Sequence, residues 1–400
     1  MLATGETDMT LPLFALFLAA FAFGTAEFVI AGILPEVAAG LGVTVPVAGY
    51  LVTAYAAGIA IGGPLLAVAT KKYQRKTVIL VLATIYTLGQ LLCAIAPDFQ
   101  FLLAARVLVS VVHGTYFGIA AVVAVSLVPA ERRGFAVALI LSGLTVSNIL
   151  GVPGGTAIGN ALGWRATFWA VGALGLVATI AIALFLPGTA GAASTSGSFV
   201  REFKALGRQQ IVTSLLIVVL VMIGQYSLFT YIAPLLREVT GLDVNIVPWV
   251  LLLYGVGSTI GVFIGGRLAD WRLMPSLIAI LSAQAVAFGL VYLLSPYPVV
   301  MAVTVFVWGG VNFAFGSPVQ SRVLAWAGDA PNLASSLIPT GFNIGIAIGA
   351  MMGASVLEQG LGYRALPLIG CVALVLAVGV AVTSHVLELR TPRPLPKPAT

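Results

Sequence analysis

The sequence predicts an all-α membrane protein, with twelve transmembrane helices in two pseudo-symmetric six-helix bundles. Four observations carry this. Of 400 residues, 60% are hydrophobic and only 8% charged, against about 25% charged in soluble chains, too few to cover a water-facing surface. The 45 Gly and 21 Pro fit membrane helices, where both are commoner than in soluble ones. Apolar stretches near the roughly 20 residues that cross a bilayer recur twelve times. The second six also repeat the first six at a nearly constant offset.

In order, the first six spans are expected at Leu11–Gly32, Val47–Ala69, Thr77–Ala96, Phe99–Val128, Phe135–Ala161 and Thr167–Leu186. The second six are expected at Ile211–Leu235, Val247–Ala269, Ser276–Leu294, Val299–Ala327, Ala334–Leu357 and Ala365–Leu387. The first run follows Glu6 and Asp8 and is too long for a signal h-region, so it reads as a span. Pro187–Gly197 (PGTAGAASTSG) has no apolar periodicity and reads as a flexible linker. The division is therefore an N-terminal bundle (1–187), a cytoplasmic linker (188–210) and a C-terminal bundle with a short tail (211–400).

The formal charge of +6 reflects topology rather than nucleic-acid binding. One set of loops holds Lys71, Lys72, Arg75, Lys76, Arg132, Arg133, Arg201, Lys204, Arg208, Arg267, Arg272 and Arg322, and the tail adds Arg390, Arg393 and Lys397. The opposite loops hold only Arg165, Arg237 and Arg364. This bias places both termini and the linker in the cytoplasm. Cys93 and Cys371 lie in apolar runs without metal or redox spacing.

A shift of 199 places Pro35 on Pro234, Gly42 on Gly241, Tyr55 on Tyr254, Gly58 on Gly257 and Gly62 on Gly261, and "LGWRA" (Leu162–Ala166) on "LGYRA" (Leu361–Ala365). A shift of 198 places Gly143, Gly151 and Gly155 on Gly341, Gly349 and Gly353. An even number of spans per copy makes the repeats parallel, related by an axis along the membrane normal.

Five motifs resemble the major facilitator superfamily, in its drug:proton antiporter group of twelve spans and its arabinose-efflux-permease-like and chloramphenicol-resistance branch. They are "GTAEFVIAGILPEVA" (Gly24–Ala38), "RVLVSVVHG" (Arg106–Gly114), "PAERRGFA" (Pro129–Ala136), "GVPGGTAIG" (Gly151–Gly159) and "GGRLADW" (Gly265–Trp271). The first-half copy of the last motif, "GGPLLAVATKKYQRK" (Gly62–Lys76), has Lys71 where the family has Asp. The resemblance implies conformational roles for Asp270, Arg267 and Arg75 at helix ends, and for Gly151, Pro153 and Gly155 in sealing span five. It also implies that spans one, four, seven and ten line the cavity.

Glu27 is the only acidic residue in the central part of a span. A charge there costs about 2.5–3.5 kcal/mol on the insertion scale, so it should face the bundle interior, where burial disfavours the ionised form. Arg106 is read as the only basic residue well inside a span. Counted from Pro35 and Asp98, Glu27 and Arg106 each lie about 12 Å below the outer surface. That allows an ion pair, direct or through water or substrate, or a permanent pair that only orders the bundle. His113 lies two turns below Arg106 on the same face, suited to a proton relay or to a simple bond with a neighbouring helix. His385, near the end of span twelve, is given no role.

Gln225, Tyr226, Phe229 and Tyr231 in span seven, Trp308, Asn312 and Phe315 in span ten, Asn343 in span eleven, and Ser147 and Asn148 in span five mark a polar and aromatic cavity. Of these, Gln225, Tyr226, Phe229, Trp308, Asn312, Asn343 and Asn148 are the substrate-binding candidates. Gly58 and Gly62, and Gly257, Gly261 and Gly265, recur every four residues as close-packing stripes.

The expected function is export of a small amphipathic molecule, a drug such as a phenicol or a sugar, in exchange for protons. The alternative is an uncoupled or proton-symport facilitator in which Glu27 and Arg106 are structural. No nucleophile–base set, metal spacing or nucleotide loop supports an enzyme, and no cofactor is expected. The expected partners are the small-molecule substrate, protons and the lipid bilayer, without nucleic acid, for a monomer in a bacterial inner membrane.

Overall fold

The structure is a computed structural model that describes residues 4–188, 208–327 and 331–390. The predicted linker and the C-terminal tail lie almost wholly outside the described residues. Among the described residues, twelve helices are long and apolar enough to cross a membrane: Thr10–Ala31, Val45–Ala69, Arg75–Ala94, Phe99–Ser126, Ala130–Leu162, Trp164–Phe185, Gln209–Phe229, Val247–Trp271, Leu273–Leu294, Pro298–Ala327, Leu337–Glu358 and Tyr363–Leu389. They are called spans one to twelve. No strand occurs among the described residues.

The two sets of six pack alike, pair for pair. Span one lies on five and six, three on four and six, and two on four; span seven lies on eleven and twelve, nine on ten and twelve, and eight on ten. The sets meet chiefly where span two crosses eleven and span five crosses eight. The repeat reaches the backbone. Gly42 (φ 65°) and Gly241 (φ 74°) end matching turns, and Gly163 (φ 88°) and Gly362 (φ 73°) open spans six and twelve. These angles suit glycine, which lacks a Cβ to clash.

Proline sets the irregular turns. Spans two and five each contain a π-helical turn, Gly58–Gly62 and Ser147–Gly151, ending two residues before Pro64 and Pro153. A mid-helix proline removes a donor and crowds the carbonyl four residues back; widening the preceding turn relieves both. Span seven is shorter than expected. Its helix ends at Phe229, and the chain continues as a turn at Ile232–Pro234 and a π-helical turn at Leu235–Val239, because Pro234 cannot donate back to Thr230.

Glycine brings backbones together. A Cβ on Gly257, Gly261 or Gly265 would strike the carbonyl oxygen of Phe306, Gly310 or Ala314, so span eight lies directly on span ten. Gly63 and Gly114 do the same for spans two and four, where a Cβ on either would sit 2.9 Å from the other's Cα.

One expectation fails. Arg322, assigned to a loop, is buried at the end of span ten nearest the termini. Its Nη1 donates to Ser214 Oγ at 3.3 Å and its Nη2 to Ser384 Oγ at 2.5 Å, with Glu388 Oε2 3.8 Å away. Spans seven and twelve close over an arginine that hydropathy alone places at the edge. Breaking a buried charged cluster by removing one partner costs about 3–5 kcal/mol. Arg322→Ala is therefore expected to lower the melting temperature of the purified protein by several degrees, and Glu388→Gln by less.

Candidate functional site

Span five determines where Glu27 points. A Cβ on Gly24 would lie 2.9 Å from Leu144 Cδ2, and Gly151 and Gly155 leave no room for a Cβ beside Thr25 and Val29. Span one is thus pressed onto span five on both sides of Glu27. The carboxylate is left to face spans two, four and seven.

There it meets His113, with Oε2 3.6 Å from Nε2. The other ring nitrogen, Nδ1, lies 3.0 Å from the Tyr55 hydroxyl. With Tyr55 donating to Nδ1, a neutral imidazole carries its proton on Nε2 and turns it toward the carboxylate. Phe23 and Phe117 hold the ring at centroid distances of 5.3 and 5.2 Å.

Arg106 completes the layer without pairing to Glu27. Its Nη1 donates to the Ala26 carbonyl at 3.2 Å, its Nε to Leu51 O at 3.5 Å, and its guanidinium lies 4.4 Å over the Tyr55 ring. Nη2 is buried without a hydrogen-bond partner. Among the described residues no salt bridge joins Arg106 to Glu27, although their charges interact. Of the arrangements that depth allows, the direct ion pair is not formed among the described residues; Glu27 meets His113, with the cation behind it. Tyr55, which touches both His113 and Arg106, was not among the sequence candidates; its one sequence signal is its match to Tyr254.

Glu27 opens on a narrow cleft between the halves, lined also by Phe28, Val52, Tyr226, Phe229 and Thr230. Behind the cleft, Gln225 Nε2 donates to the Tyr254 hydroxyl. The rings of Phe229 and Trp308 sit 4.9 and 5.0 Å from that of Tyr254. The Asn312 side chain hydrogen-bonds Tyr254 as well. The structure thus gathers Gln225, Tyr226, Phe229, Trp308 and Asn312. It does not gather the other two candidates: Asn148 Nδ2 donates to Leu144 O at 3.1 Å and Asn343 Nδ2 to Pro339 O at 2.9 Å, each within its own helix.

The halves are clasped at the end remote from the termini. Arg237 pairs with Glu36, the Tyr50 hydroxyl donates to Glu358 Oε1 at 3.5 Å, and Asn160 Nδ2 donates to Val244 O at 2.9 Å. The Tyr231 ring fills the space beside Gly49 and its hydroxyl donates to Ala350 O at 3.0 Å. Sequence reading missed Glu36, Arg237 and Glu358 because it searched for charge inside spans. At the opposite end Asp270 and Arg267 are exposed and Arg75 opens span three; none forms a salt bridge among the described residues.

Paired six-span bundles meeting over a buried carboxylate define a transporter architecture. The Major Facilitator Superfamily model matches residues 16–331, and the chain belongs to that family. It is 38% identical to the inner membrane transport protein YdhP of Escherichia coli strain K12, covering 92% of this chain and 94% of that one. It is 36% identical to a chloramphenicol resistance protein of Streptomyces lividans, covering 88% and 91%. A solved bacterial homologue of the human lysosomal transporter Spinster, inward-facing and occupied, shares the fold at TM-score 0.77, with 18% identity over 94% of this chain and 97% of that one. The protein is an integral membrane transporter.

Proposed function

We propose that this transporter exports a small amphipathic molecule in exchange for protons by alternating access. The observation that carries the reading is Glu27, 3.6 Å from His113 and open to the cleft between the halves. A carboxylate there can take a proton only when water or substrate reaches it. Its protonation removes the negative charge that His113 faces and leaves the Arg106 charge uncompensated. Substrate and proton then compete for one layer of the bundle. The positive-inside bias supports a cytoplasmic location for both termini in a bacterial inner membrane. On that orientation the clasped end is periplasmic and the Asp270, Arg267 and Arg75 end is the cytoplasmic gate. Gly151, Pro153 and Gly155 hold span five against span one, so that rocking of span five moves Glu27. The functional unit is the monomer.

The contrasting reading, a facilitator without proton coupling, draws on Arg106, whose bonds run to backbone carbonyls as in a structural clamp. Purified protein in liposomes with an acidic lumen separates the two. Under exchange, protons leave and chloramphenicol enters, accumulating up to about tenfold per pH unit for one proton. A facilitator only equalises the two sides.

A further inference from the structure

Spans eight, nine and ten leave an open groove on the outer face of the second bundle. Glycine draws span eight onto span ten, while span nine touches span eight only lightly. The groove holds about 390 Å³, and every residue lining it is apolar. Its floor is Gly257, Gly261 and Gly310, and span nine turns the small side chains of Ala279 and Ala283 toward it. Ile260, Ile264 and Val307 form an exposed rim. Packed interiors leave few voids larger than a water molecule, so a gap of this size on a membrane-facing surface is room for hydrocarbon from the bilayer.

The groove has a length and an end. Gly257, Gly261, Ile264 and Leu268 line it from span eight, following one another along a single helix face. From Gly257 to Leu268 that helix rises about 16 Å. One leaflet of hydrocarbon is about 15 Å deep, half of the bilayer core. Trp271 continues the same face three residues past Leu268 and is 72% exposed, as befits a tryptophan at headgroup level. The Arg272 guanidinium lies 5.5 Å over its ring. Arg267, three residues after Ile264 and four before Trp271, shares that side of the helix. Asp270, two residues past Leu268, does not face it. Both arginines are exposed, and neither forms a salt bridge among the described residues. An apolar channel one leaflet deep therefore ends at two cations and a tryptophan.

We propose that this groove binds one anionic phospholipid from the leaflet on the side of the termini. An acyl chain lies over the three glycines between spans eight and nine, and the headgroup phosphate meets Arg267 and Arg272 beside Trp271. The chain supplies the packing that span nine withholds from span eight, so the bound lipid holds the second bundle together. A zwitterionic lipid fits the groove equally well but carries no net charge for the arginines. The site is separate from Glu27 and from the cleft between the halves, and it does not depend on the exchange reading.

The test is native mass spectrometry of the full chain in detergent, titrated with dioleoyl phosphatidylglycerol or dioleoyl phosphatidylcholine. The wild type is expected to hold one phosphatidylglycerol, in preference to phosphatidylcholine by about 25-fold, at about fivefold for each arginine. Arg272→Gln is expected to lower that preference about fivefold and to leave phosphatidylcholine binding unchanged. Ala283→Leu, which puts a side chain into the groove, is expected to weaken both lipids about tenfold, the contact of roughly two methylenes. If that variant loses its melting transition, Ala279→Leu replaces it with the same expectation. Phosphatidylglycerol should also raise the melting temperature of the wild type and not that of the filled variant, because a ligand held only by the folded state stabilises it. Three results would overturn the proposal: equal affinity of the wild type for the two lipids, an unchanged preference in Arg272→Gln, or wild-type binding by the filled variant. Any of them would mean that lipid around this chain is an unselected annulus only.

Discussion

Glu27→Gln is expected to fold, insert and bind substrate, yet to lose all accumulation against a pH gradient. Glutamine keeps the size of the side chain and an oxygen for the His113 N–H to face, but it cannot take up a proton. With an acidic lumen one pH unit below the outside, the wild type is expected to concentrate chloramphenicol up to about tenfold for one proton. The variant is expected to reach only equal concentrations. Adding a potential of about 100 mV, positive inside so as to drive protons out, contributes about 2.3 kcal/mol per net charge moved. It should raise the wild-type ratio further and leave the variant at one. Accumulation of radiolabelled substrate in liposomes measures both.

Gly261→Val is expected to have the largest effect on stability. A Cβ at Gly261 would lie 2.9 Å from Gly310 Cα and closer still to its carbonyl oxygen. The two backbones are in contact, so no side chain can rotate aside. Overpacking typically costs about 1–3 kcal/mol and more where nothing yields. Valine adds two methyl groups beyond the Cβ, and the cost is expected at or above the top of that range. The neighbouring contacts, Gly257 on Phe306 O and Gly265 on Ala314 O, would open with it. Trp308 and Asn312 lie on that stretch of span ten, so the cluster around Tyr254 should be disordered as well. Gly266 is the internal control: its Cβ would meet only Ser317 Oγ, at 4.0 Å. Gly266→Ala should therefore melt like the wild type, whereas Gly261→Val should lose most of its folded yield, as read by size-exclusion elution and thermal melting.

The spans were legible because hydropathy depends on composition, and the repeat because it is a property of spacing. Partnership inside the membrane was less so, and Glu27 shows why. Its depth was counted from Pro35 as though that proline marked the surface. In the structure the chain after span one continues into a helix at Leu34–Leu41 whose Leu34, Val37 and Ala38 are buried. Pro35 is therefore no marker of the surface. Arg106 does reach the level of Glu27, donating to the Ala26 carbonyl, but it is spent on backbone, and Glu27 meets His113 instead. Arg322 was misplaced for a related reason: a charge near the end of an apolar run looks exposed until Ser214 and Ser384, more than 60 positions away on either side, close over it. Tyr55 carries no charge and no motif. Its importance comes from lying between Arg106 and His113, which only a fold can specify. The aromatic and amide residues of spans seven and ten were found because they are unusual in such apolar surroundings, whereas Asn148 and Asn343 share that trait and bond to their own helices instead.

The most direct measurement of the central claim is proton release on substrate binding. Concentrated protein in weakly buffered detergent solution, set at a series of starting pH values, is mixed with saturating chloramphenicol while a pH indicator is read. The account predicts release of close to one proton per transporter from the wild type and none from Glu27→Gln at equal occupancy. Equal release from both proteins, or binding by the wild type with no release at any starting pH, would contradict it.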